Sequence, residues 1–174
     1  HKRQSNRQHA LADAAVRITA SLSIAQPLEE LLQLVCDAAA GIIGAHLGTV
    51  GMTLDGNWGH AIQAVTLSDK YAKWRSYDVR PNGTGIYSLV CSTNRPMRLT
   101  EEELLKHPAV QGFSHAAENH PPLRGWLCVP LIGRDGRNLG ALHLADKYDG
   151  EFTEEDEAIS VQLAAMAAVA VVNH

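Results

Sequence analysis

The sequence predicts an α+β domain in which helices stand at both ends of an antiparallel sheet. Two pairs of strand-like segments each flank an Asp-Gly dipeptide, which favours a hairpin turn. Helix-like segments precede the first pair and follow the second pair. A length of 174 residues suits one domain, so we expect a single domain over residues 1–174.

Two helices are predicted before the first strand. The first covers residues 8–23 within an N-terminal segment of residues 1–24. Its apolar residues recur at helical spacing, namely Leu11, Ala14, Ala15, Ile18 and Leu22. The second helix begins at Pro27, because proline suits a first helical turn, and ends at Gly44, because glycine favours the residue after a helix.

The sheet is predicted over residues 45–150. Its first pair of segments is "LGTVGMTL" and "WGHAIQAVTL", on either side of Asp55-Gly56. The second pair is "GWLCVPLI" and "LGALHLAD", on either side of Asp135-Gly136. Pro130 falls within the second pair, and proline cannot donate a ladder hydrogen bond. We therefore expect an edge strand or a bulge at this position.

Residues 68–124 lie between the two pairs and are called the insert below. Within the insert, "TEEELLKHP" predicts a short helix with Thr100 as N-cap, Glu103 as its capping-box partner and Pro108 as a stop. The stretch "GIYSLVCST" predicts another helix. A mixed segment of this length inside a compact domain is usually functional, so we expect the insert to contribute to the functional site.

The last helix is predicted over residues 153–174, after the acidic stretch "DKYDGEFTEEDE". Thr153 suits the N-cap, and Asp156 suits its capping-box partner. The helix dipole favours further acids in the first turn, so we expect these acids to be solvated helix-start residues. A calcium loop would need acids at alternate positions, and Lys147 and Tyr148 interrupt that pattern.

This last helix carries two apolar stripes where a surface helix usually has one. The first stripe is Ile159, Leu163, Met166 and Ala170, and the second is Val161, Ala165, Ala168 and Val172. One stripe is expected to pack on the sheet. The other is expected to pack on the N-terminal helix or on a second copy of the chain.

From Arg124 onward, "RGWLCVPLIGRDGRNLGALHLADKYDGEFTEEDEAISVQLAAMAAVAV" resembles the C-terminal half of a GAF domain of bacterial sensor histidine kinases. "GTGIYSLVCSTNRPMRLTEEELLKHP" resembles the matching middle segment. Four residues resemble the NKFDE signature of cyclic-nucleotide GAF domains, namely Lys147, Phe152, Asp156 and Glu157. Asp146 stands where that signature has Asn. The resemblance implies that these residues are structural, with a lysine-to-carboxylate contact between strand and helix.

The resemblance also implies a GAF-like fold, related to the profilin and PAS folds, with five or six antiparallel strands. The first, second and last helices would cover one face, and the insert would cover the other. The terminal helices would form a parallel dimer bundle that leads to an output domain, for example a kinase. The residues expected in that bundle are Leu11, Ile18, Leu22, Ile159, Leu163 and Met166.

A ligand pocket is implied between the insert and the sheet. Aromatic residues with a few polar groups are typical of a small-molecule site. The expected lining residues are Trp74, Tyr77, Tyr87, Cys91, His115, Trp126, Cys128 and His143. An alternative to the pocket stays open for each group of residues. The aromatic residues could instead cap a small core of the insert, and His143 could instead be a hydrogen-bonded core residue.

No metal, haem or bilin cofactor is expected. His107, His115 and His120 have spacings that match no metal motif. Bilin-binding GAF domains attach the chromophore to a cysteine often followed by His, whereas Ser92 follows Cys91. The three cysteines include no C-x-x-C pair, which suits reduced thiols.

The predicted function is sensory: binding of a small molecule changes the packing of the terminal helices, and the domain itself is not an enzyme. One alternative is a free methionine-R-sulfoxide reductase, although only Cys91 lies in the insert while Cys128 lies in a strand. The other is a dimerisation module without a ligand. The expected partners are a small molecule, a second copy of the chain and an output domain.

The composition excludes two other classes of partner. A net charge of -4 and a pI near 6.1 argue against nucleic acid. The longest apolar run, residues 163–172, is about half of what a membrane span needs. We therefore expect a cytoplasmic location and no membrane contact by this domain.

Overall fold

The computed structural model describes residues 2–23, 26–53, 55–57, 60–74, 85–108 and 124–172. The helices in this part of the chain are α1 (Lys2–Ser23), α2 (Leu28–Ile43), α3 (Gly85–Thr93), α4 (Glu101–Lys106) and α5 (Glu154–Val172). The strands are β1 (Ala45–Met52), β2 (Ile62–Leu67), β3 (Met97–Leu99), β4 (Trp126–Ile132) and β5 (Asn138–Lys147). A kinked 3-10 segment, Asp69–Trp74, follows β2.

The strands form one antiparallel sheet in the order β2-β1-β5-β4-β3. Each predicted pair of segments forms neighbouring strands, and the central pairing of β1 with β5 joins the two pairs into one sheet. This confirms the predicted α+β class with an antiparallel sheet. The short strand β3 was not predicted, and it lies within the insert.

The two predicted hairpin connections differ in length. Asn138 lies opposite Ile132, so β4 and β5 are joined by a short turn that contains Asp135-Gly136. Ile62 lies opposite Met52, so β1 and β2 are joined by a longer loop than a two-residue turn.

Pro130 lies in β4, which is not the edge strand of the sheet, but its surroundings explain how the proline is tolerated. The three residues of β3 pair only with Trp126 to Cys128 of β4, so no described strand lies beside Pro130 on that side. On its other side Pro130 lies opposite Ala141 of β5. The register shifts between Leu131 and Ile132, immediately after the proline.

The main core lies between the sheet and the helices α1, α2 and α5. Completely buried side chains from three elements meet here, including Leu32 of α2, Val50 of β1 and Leu163 of α5. Burial of a side chain of this size contributes roughly 1.5–3 kcal/mol. α1 packs on both α2 and α5. The three helices thus cover one face of the sheet, as the resemblance implied.

α3 covers the other face, where it packs on β4 and β5. A second and smaller apolar cluster lies beneath it, and is called the α3-side cluster below. Its buried members are Val90, Leu104, Trp126, Cys128 and Ala141, with Ile86, Tyr87, Cys91, Met97 and Leu99 packed against them. Within the described part of the insert, α3 therefore covers the face opposite the three long helices.

The predicted caps of α4 and α5 and the predicted end of α2 are confirmed, whereas α1 begins at Lys2 rather than at residue 8 and Pro27 is the N-cap of α2 rather than a residue of its first turn. The Thr100 hydroxyl accepts a hydrogen bond from the Glu103 N–H, and the Glu103 carboxylate accepts one from the Thr100 N–H. Thr153 and Asp156 form the same reciprocal pair at the start of α5. Gly44 follows α2 with a φ of 83°, a conformation that glycine adopts without a steric penalty.

Candidate functional site

Five of the predicted lining residues meet in or beside the α3-side cluster, namely Tyr87, Cys91, Trp126, Cys128 and His143. Trp126 and Cys128 are two residues apart on β4, so their side chains lie on the same face of the sheet. His143 of β5 is the direct neighbour of Cys128. Tyr87 and Cys91 are four residues apart on α3, so they share one face of that helix.

The Tyr87 hydroxyl is fixed by the sheet beneath it. It lies 3.1 Å from the carbonyl oxygens of both Gly51 and Ala141 and donates its hydrogen bond to them. Burial, reinforced by the nearby Cys128 and Cys91, raises the pKa of Tyr87 well above its ordinary value. The group therefore stays protonated at neutral pH and acts as a donor.

His143 is held by β1 on one side and by an indole ring on another. Its Nδ1 lies 3.3 Å from Oγ1 of Thr49, and its ring centroid lies 5.3 Å from that of Trp126. The alternation along β5 directs Leu142 and Leu144 into the main core, and it directs His143 to the opposite face. His143 thus has one feature of each alternative: its side chain lies on the face that α3 covers, and it is hydrogen-bonded like a core residue.

The two cysteines of this site are thiols rather than thiolates at neutral pH. Burial raises the pKa of Cys91 to about 11. Burial, together with the nearby Cys91, raises the pKa of Cys128 well above its ordinary value. Because the thiolate is the nucleophilic form, the described surroundings make both groups weak nucleophiles.

Three predicted lining residues cannot be placed in this way. Tyr77 and His115 lie outside the described residues. Trp74 ends the 3-10 segment, and its side chain lies outside the described part.

Within the described ranges, no group of three or more His, Cys, Asp or Glu residues is placed to hold a metal ion. The same ranges contain no helix with the length and apolar character that a membrane crossing requires.

A buried carboxylate lies at the start of α5. Asp156 is 0% exposed, and its Oδ2 lies 2.6 Å from Nζ of Lys147. Its Oδ1 lies 2.5 Å from a guanidinium nitrogen of Arg7, in the first half of α1. Burial alone would raise the pKa of Asp156, but hydrogen bonds from Lys147, the Thr153 N–H and Arg7 outweigh it and lower the pKa. Asp156 therefore joins β5, α5 and α1.

The neighbouring acids of this first turn also contact other elements. Glu155 lies 3.0 Å from Arg7 of α1, and Glu157 lies 3.4 Å from Arg98 of β3. The expectation that these acids are solvated helix-start residues is therefore wrong for Asp156 and incomplete for Glu155 and Glu157. The capping and dipole arguments were sound, but they did not consider which cations the fold would bring to this end of the helix.

Asp146 is the second buried carboxylate, and it is 7% exposed. Its Oδ2 lies 2.5 Å from Nζ of Lys70 and also accepts a hydrogen bond from the Tyr71 hydroxyl. Burial alone would raise the pKa of Asp146, but these two hydrogen bonds outweigh it and lower the pKa. Consecutive residues thus contact different parts of the fold: Asp146 holds the 3-10 segment, and Lys147 holds α5.

With this geometry established, comparison with known families identifies the fold. The family model described as GAF domain matches residues 25–172. The chain belongs to the GAF domain family.

Solved structures of other GAF domains share its fold. One is the GAF domain of a phosphoenolpyruvate-protein phosphotransferase from Coxiella burnetii, with 24% identity, coverage of 94% of each chain and a TM-score of 0.70. A GAF domain of a putative sensor histidine kinase from Pseudomonas syringae pv. tomato has 21% identity, coverage of 99% of this chain and 92% of that chain, and a TM-score of 0.58.

A third similar structure is an enzyme. It is a free methionine-R-sulfoxide reductase from Neisseria meningitidis in complex with its substrate, with 14% identity and a TM-score of 0.69. The match covers 99% of this chain and 92% of that chain. At these identities the three structures establish the fold, and the fold alone does not distinguish a sensor from an enzyme.

In this GAF domain the lysine-to-carboxylate contact implied by the signature is present between Lys147 and Asp156. Phe152 is buried in the main core, and its carbonyl oxygen lies 3.4 Å from Arg98. Glu157 contacts the same arginine. The signature residues thus fix the junction between β5 and α5, and Arg98 brings β3 of the insert to that junction.

The residues expected in the dimer bundle need correction. Four of them are buried in the main core of the same chain, namely Leu11, Ile18, Ile159 and Leu163. Met166 is partly buried against that core, and the side chain of Leu22 lies outside the described part. The apolar stripes were real, but the first stripe is used within the chain because α1 and α5 pack on each other and on the sheet.

The second apolar stripe of α5 is mostly exposed. Val161, Val169 and Val172 are 41%, 57% and 45% exposed, and Ala165 between them is also exposed. Ala168, which was assigned to the same stripe, is buried. Val161, Ala165, Val169 and Val172 are called the outer α5 stripe below. Their spacing of four, four and three residues places them on one side of the helix.

Sequence analysis missed the cations that hold the buried acids, namely Arg7, Lys70 and Arg98. A signal for Arg7 was available, because it precedes Leu11 by four residues and so continues the apolar stripe of α1 toward the core. A cation on such a stripe indicates a buried acidic partner. Lys70 and Arg98 stand in short irregular elements, where no periodicity indicates the direction of a side chain.

Proposed function

We propose that this GAF domain is the sensory, small-molecule-binding part of a larger signalling protein, a sensor histidine kinase. The observation that carries the proposal is the α3-side cluster. There Tyr87 of α3 packs against the cluster that contains Trp126, and His143 contacts Trp126, on the face of the sheet opposite α1 and α5. A ligand held on this face would contact the insert and the sheet. Its binding would change the packing of the terminal helices on the other face.

The chemistry of the cluster supports a small organic ligand. Indole, phenol and imidazole rings offer flat apolar surfaces, and the Tyr87 and His143 rings add polar atoms at fixed positions. Small-molecule sites usually combine such surfaces with a few convergent polar groups. Hydrogen bonds within the chain already hold the Tyr87 and His143 rings in place, so these rings would not need to be ordered when the ligand binds.

The outer α5 stripe supports the second half of the proposal, a homodimer. An apolar stripe on a surface helix gains stability when a second helix covers it. In a parallel dimer, the stripe would pair with its own copy, and a change in the insert would alter that packing. The residues expected to make this contact are now those of the outer α5 stripe, in place of Ile159 and Leu163.

The proposed parent protein rests on likeness to known proteins. One of the similar structures is described as part of a putative sensor histidine kinase. In the natural full-length protein, incubation with labelled ATP should give an acid-labile phosphohistidine. If the full-length protein instead takes its phosphoryl group from phosphoenolpyruvate, the sensory proposal can stand, but the kinase assignment fails.

The direct test of ligand binding is native mass spectrometry of the purified chain, followed by identification of any released molecule. We expect a dimer that carries extra mass. Cys91→Leu would extend a larger side chain from α3 beside Tyr87 and should abolish that mass. Ser92→Leu is the matched control, because Ser92 is exposed on the next position of the same helix. Retention of the ligand by Cys91→Leu would contradict a site under α3.

The thiols support a sensor over the reductase alternative. A sulfoxide reductase needs a thiolate nucleophile and a reachable second thiol. Burial raises the pKa values of Cys91 and Cys128, and this favours the unreactive thiol form. We expect no turnover of free methionine-R-sulfoxide by the wild-type chain with thioredoxin or dithiothreitol as reductant. Turnover that is lost on Cys91→Ser and kept on Cys36→Ser would overturn the proposal in favour of the enzyme.

A further inference from the structure

The three side chains of β3 face two different parts of the fold. Among the described strands, β3 pairs with β4 alone. Met97 and Leu99 pack against the α3-side cluster. Arg98 lies between them in the sequence, so the alternation of side chains along a strand directs Arg98 to the opposite face of the sheet.

Arg98 contacts the start of α5 on that opposite face. Its Nε lies 3.4 Å from Oε1 of Glu157, and its guanidinium also donates to the carbonyl oxygen of Phe152 over 3.4 Å. The residue directly opposite Arg98 on β4 is Leu127, which is buried in the main core. β3 thus contacts the α3-side cluster through its outer two residues and α5 through its middle residue.

The first turn of α5 connects Glu157 to two further elements. Asp156 is held by Lys147 of β5 and by Arg7 of α1. Glu155 also contacts Arg7. Because consecutive residues of a helical turn are fixed to one another by the helical backbone, a shift of Glu157 is expected to shift these two acids and their partners.

We propose that Arg98 is a positioning residue that couples the α3-side cluster to the first turn of α5 and, through that turn, to α1. A ligand that displaces Met97 or Leu99 would move Arg98, because the three residues are consecutive in one strand. Packed side chains and hydrogen bonds of this kind carry coupling between distant parts of a domain. The inference rests on the proposed function, since it explains how a ligand on the α3 side would change the packing of the terminal helices.

The contact between Arg98 and Glu157 can be removed without unfolding the domain. The two side chains are 33% and 34% exposed. Ion pairs with this exposure contribute little to stability. Arg98→Met removes the positive charge and both hydrogen bonds while keeping an unbranched side chain. Its melting temperature, measured by circular dichroism, should stay close to that of the wild type.

Amide chemical shifts of the isotopically labelled chain, without added ligand, measure the coupling. Met97→Ala perturbs the α3-side cluster from β3, because it removes most of a side chain that packs there. We expect this change to shift the amides of the first turn of α5 and of the first half of α1, in addition to those of β3, β4 and α3. Leu99→Val perturbs the same cluster more gently and is the second variant.

The same perturbation is then repeated in the Arg98→Met background, as a double-mutant cycle. There, Met97→Ala should still shift the amides of β3, β4 and α3, but it should no longer shift those of the first turn of α5 or of α1. In the Arg98→Lys background, which keeps a positive charge beside Glu157, part of the effect on α5 should return. Arg95→Met is the matched control, because it makes the same chemical change at an exposed arginine just before β3. In that background the effect on α5 should equal the effect in the wild type.

The inference fails if neither Met97→Ala nor Leu99→Val shifts the amides of α5. It also fails if the shifts in α5 are the same with and without Arg98, because the perturbation would then reach α5 through β4. Loss of the effect in the Arg95→Met background as well would indicate a general change in the fold and would equally overturn the role of Arg98. No ligand enters this test, so its outcome and that of native mass spectrometry are independent of each other.

Discussion

Nζ of Lys147 lies 2.6 Å from Oδ2 of Asp156, and both side chains are nearly or completely buried. A buried ion pair adds little stability relative to apolar residues that fill the same space, because both charges lose their hydration. Removal of one partner is a different matter, because the remaining charge stays buried without compensation. At this junction three elements depend on the pair: β5, α5 and, through Arg7, α1.

Asp156→Asn is expected to lower the free energy of unfolding by about 3 kcal/mol, because it removes the counter-charge of the buried Lys147 and leaves Arg7 with Glu155 alone. Urea unfolding followed by circular dichroism measures the change. Asp149→Asn is the matched control, because it makes the same chemical change at an exposed residue, and it should have almost no effect. Equal stability of Asp156→Asn and wild type would show that the junction is dispensable.

The pH dependence of stability should follow from the two buried carboxylates. The folded-state pKa values of Asp146 and Asp156 lie below the ordinary value of 3.8. Their stabilising contribution is therefore fully present above the unfolded pKa and is lost as the pH falls through the folded pKa values. Urea unfolding from about pH 7 to about pH 3 should show declining stability for the wild type. The decline should be shallower for Asp156→Asn, and parallel curves would contradict this assignment.

The outer α5 stripe makes a prediction about the oligomeric state. Val169→Asp should give a folded monomer, because it places a charge in the proposed dimer contact without disturbing the main core. Leu163→Asp is unsuitable for this purpose, because Leu163 is 0% exposed and the change should unfold the chain. Size-exclusion chromatography with light scattering and circular dichroism measure both properties. Val65→Asp, on an exposed position of β2, should remain dimeric, and a dimeric Val169→Asp would exclude this stripe as the contact.

Gly140 should tolerate no side chain. A Cβ atom there would lie 1.9 Å from the carbonyl oxygen of Gly51 and 2.7 Å from Cα of Met52, so β1 and β5 would have to separate. We expect Gly140→Ala to lower the melting temperature strongly or to prevent folding. Gly41→Ala is the matched control, because a Cβ on this exposed position of α2 meets nothing within 4 Å. That change should stabilise the chain by up to about 1 kcal/mol.

Local chemistry made much of the fold predictable from the sequence. Capping pairs such as Thr100 with Glu103 depend on residues three apart, and strand alternation around His143 depends on its immediate neighbours. These signals depend only on neighbouring residues, so they do not depend on how the rest of the chain packs. Strand β3 was missed because three residues carry too little alternation to recognise, and it is a strand only because β4 lies beside it.

The candidate site was less predictable because its contacts are long-range. Whether Leu163 faces its own chain or a partner depends on how α1 packs, and apolar periodicity is the same in both cases. Likewise, the acids of α5 look like ordinary helix-start residues until Arg7 and Arg98 are brought to them. Pairings across about 60 to 150 residues of sequence have no local signal.

Pro130 has a consequence for how this chain behaves while it is being synthesised. Beyond β3, the outer side of β4 has no strand partner among the described residues, and Ile132 at its end is 41% exposed. An open apolar strand edge can recruit the same strand of another newly made chain and start aggregation. Proline offers no N–H group to such a strand, so it blocks the growth of a continuous ladder. Replacing it with valine should leave the native sheet intact but lower the yield of soluble protein on expression.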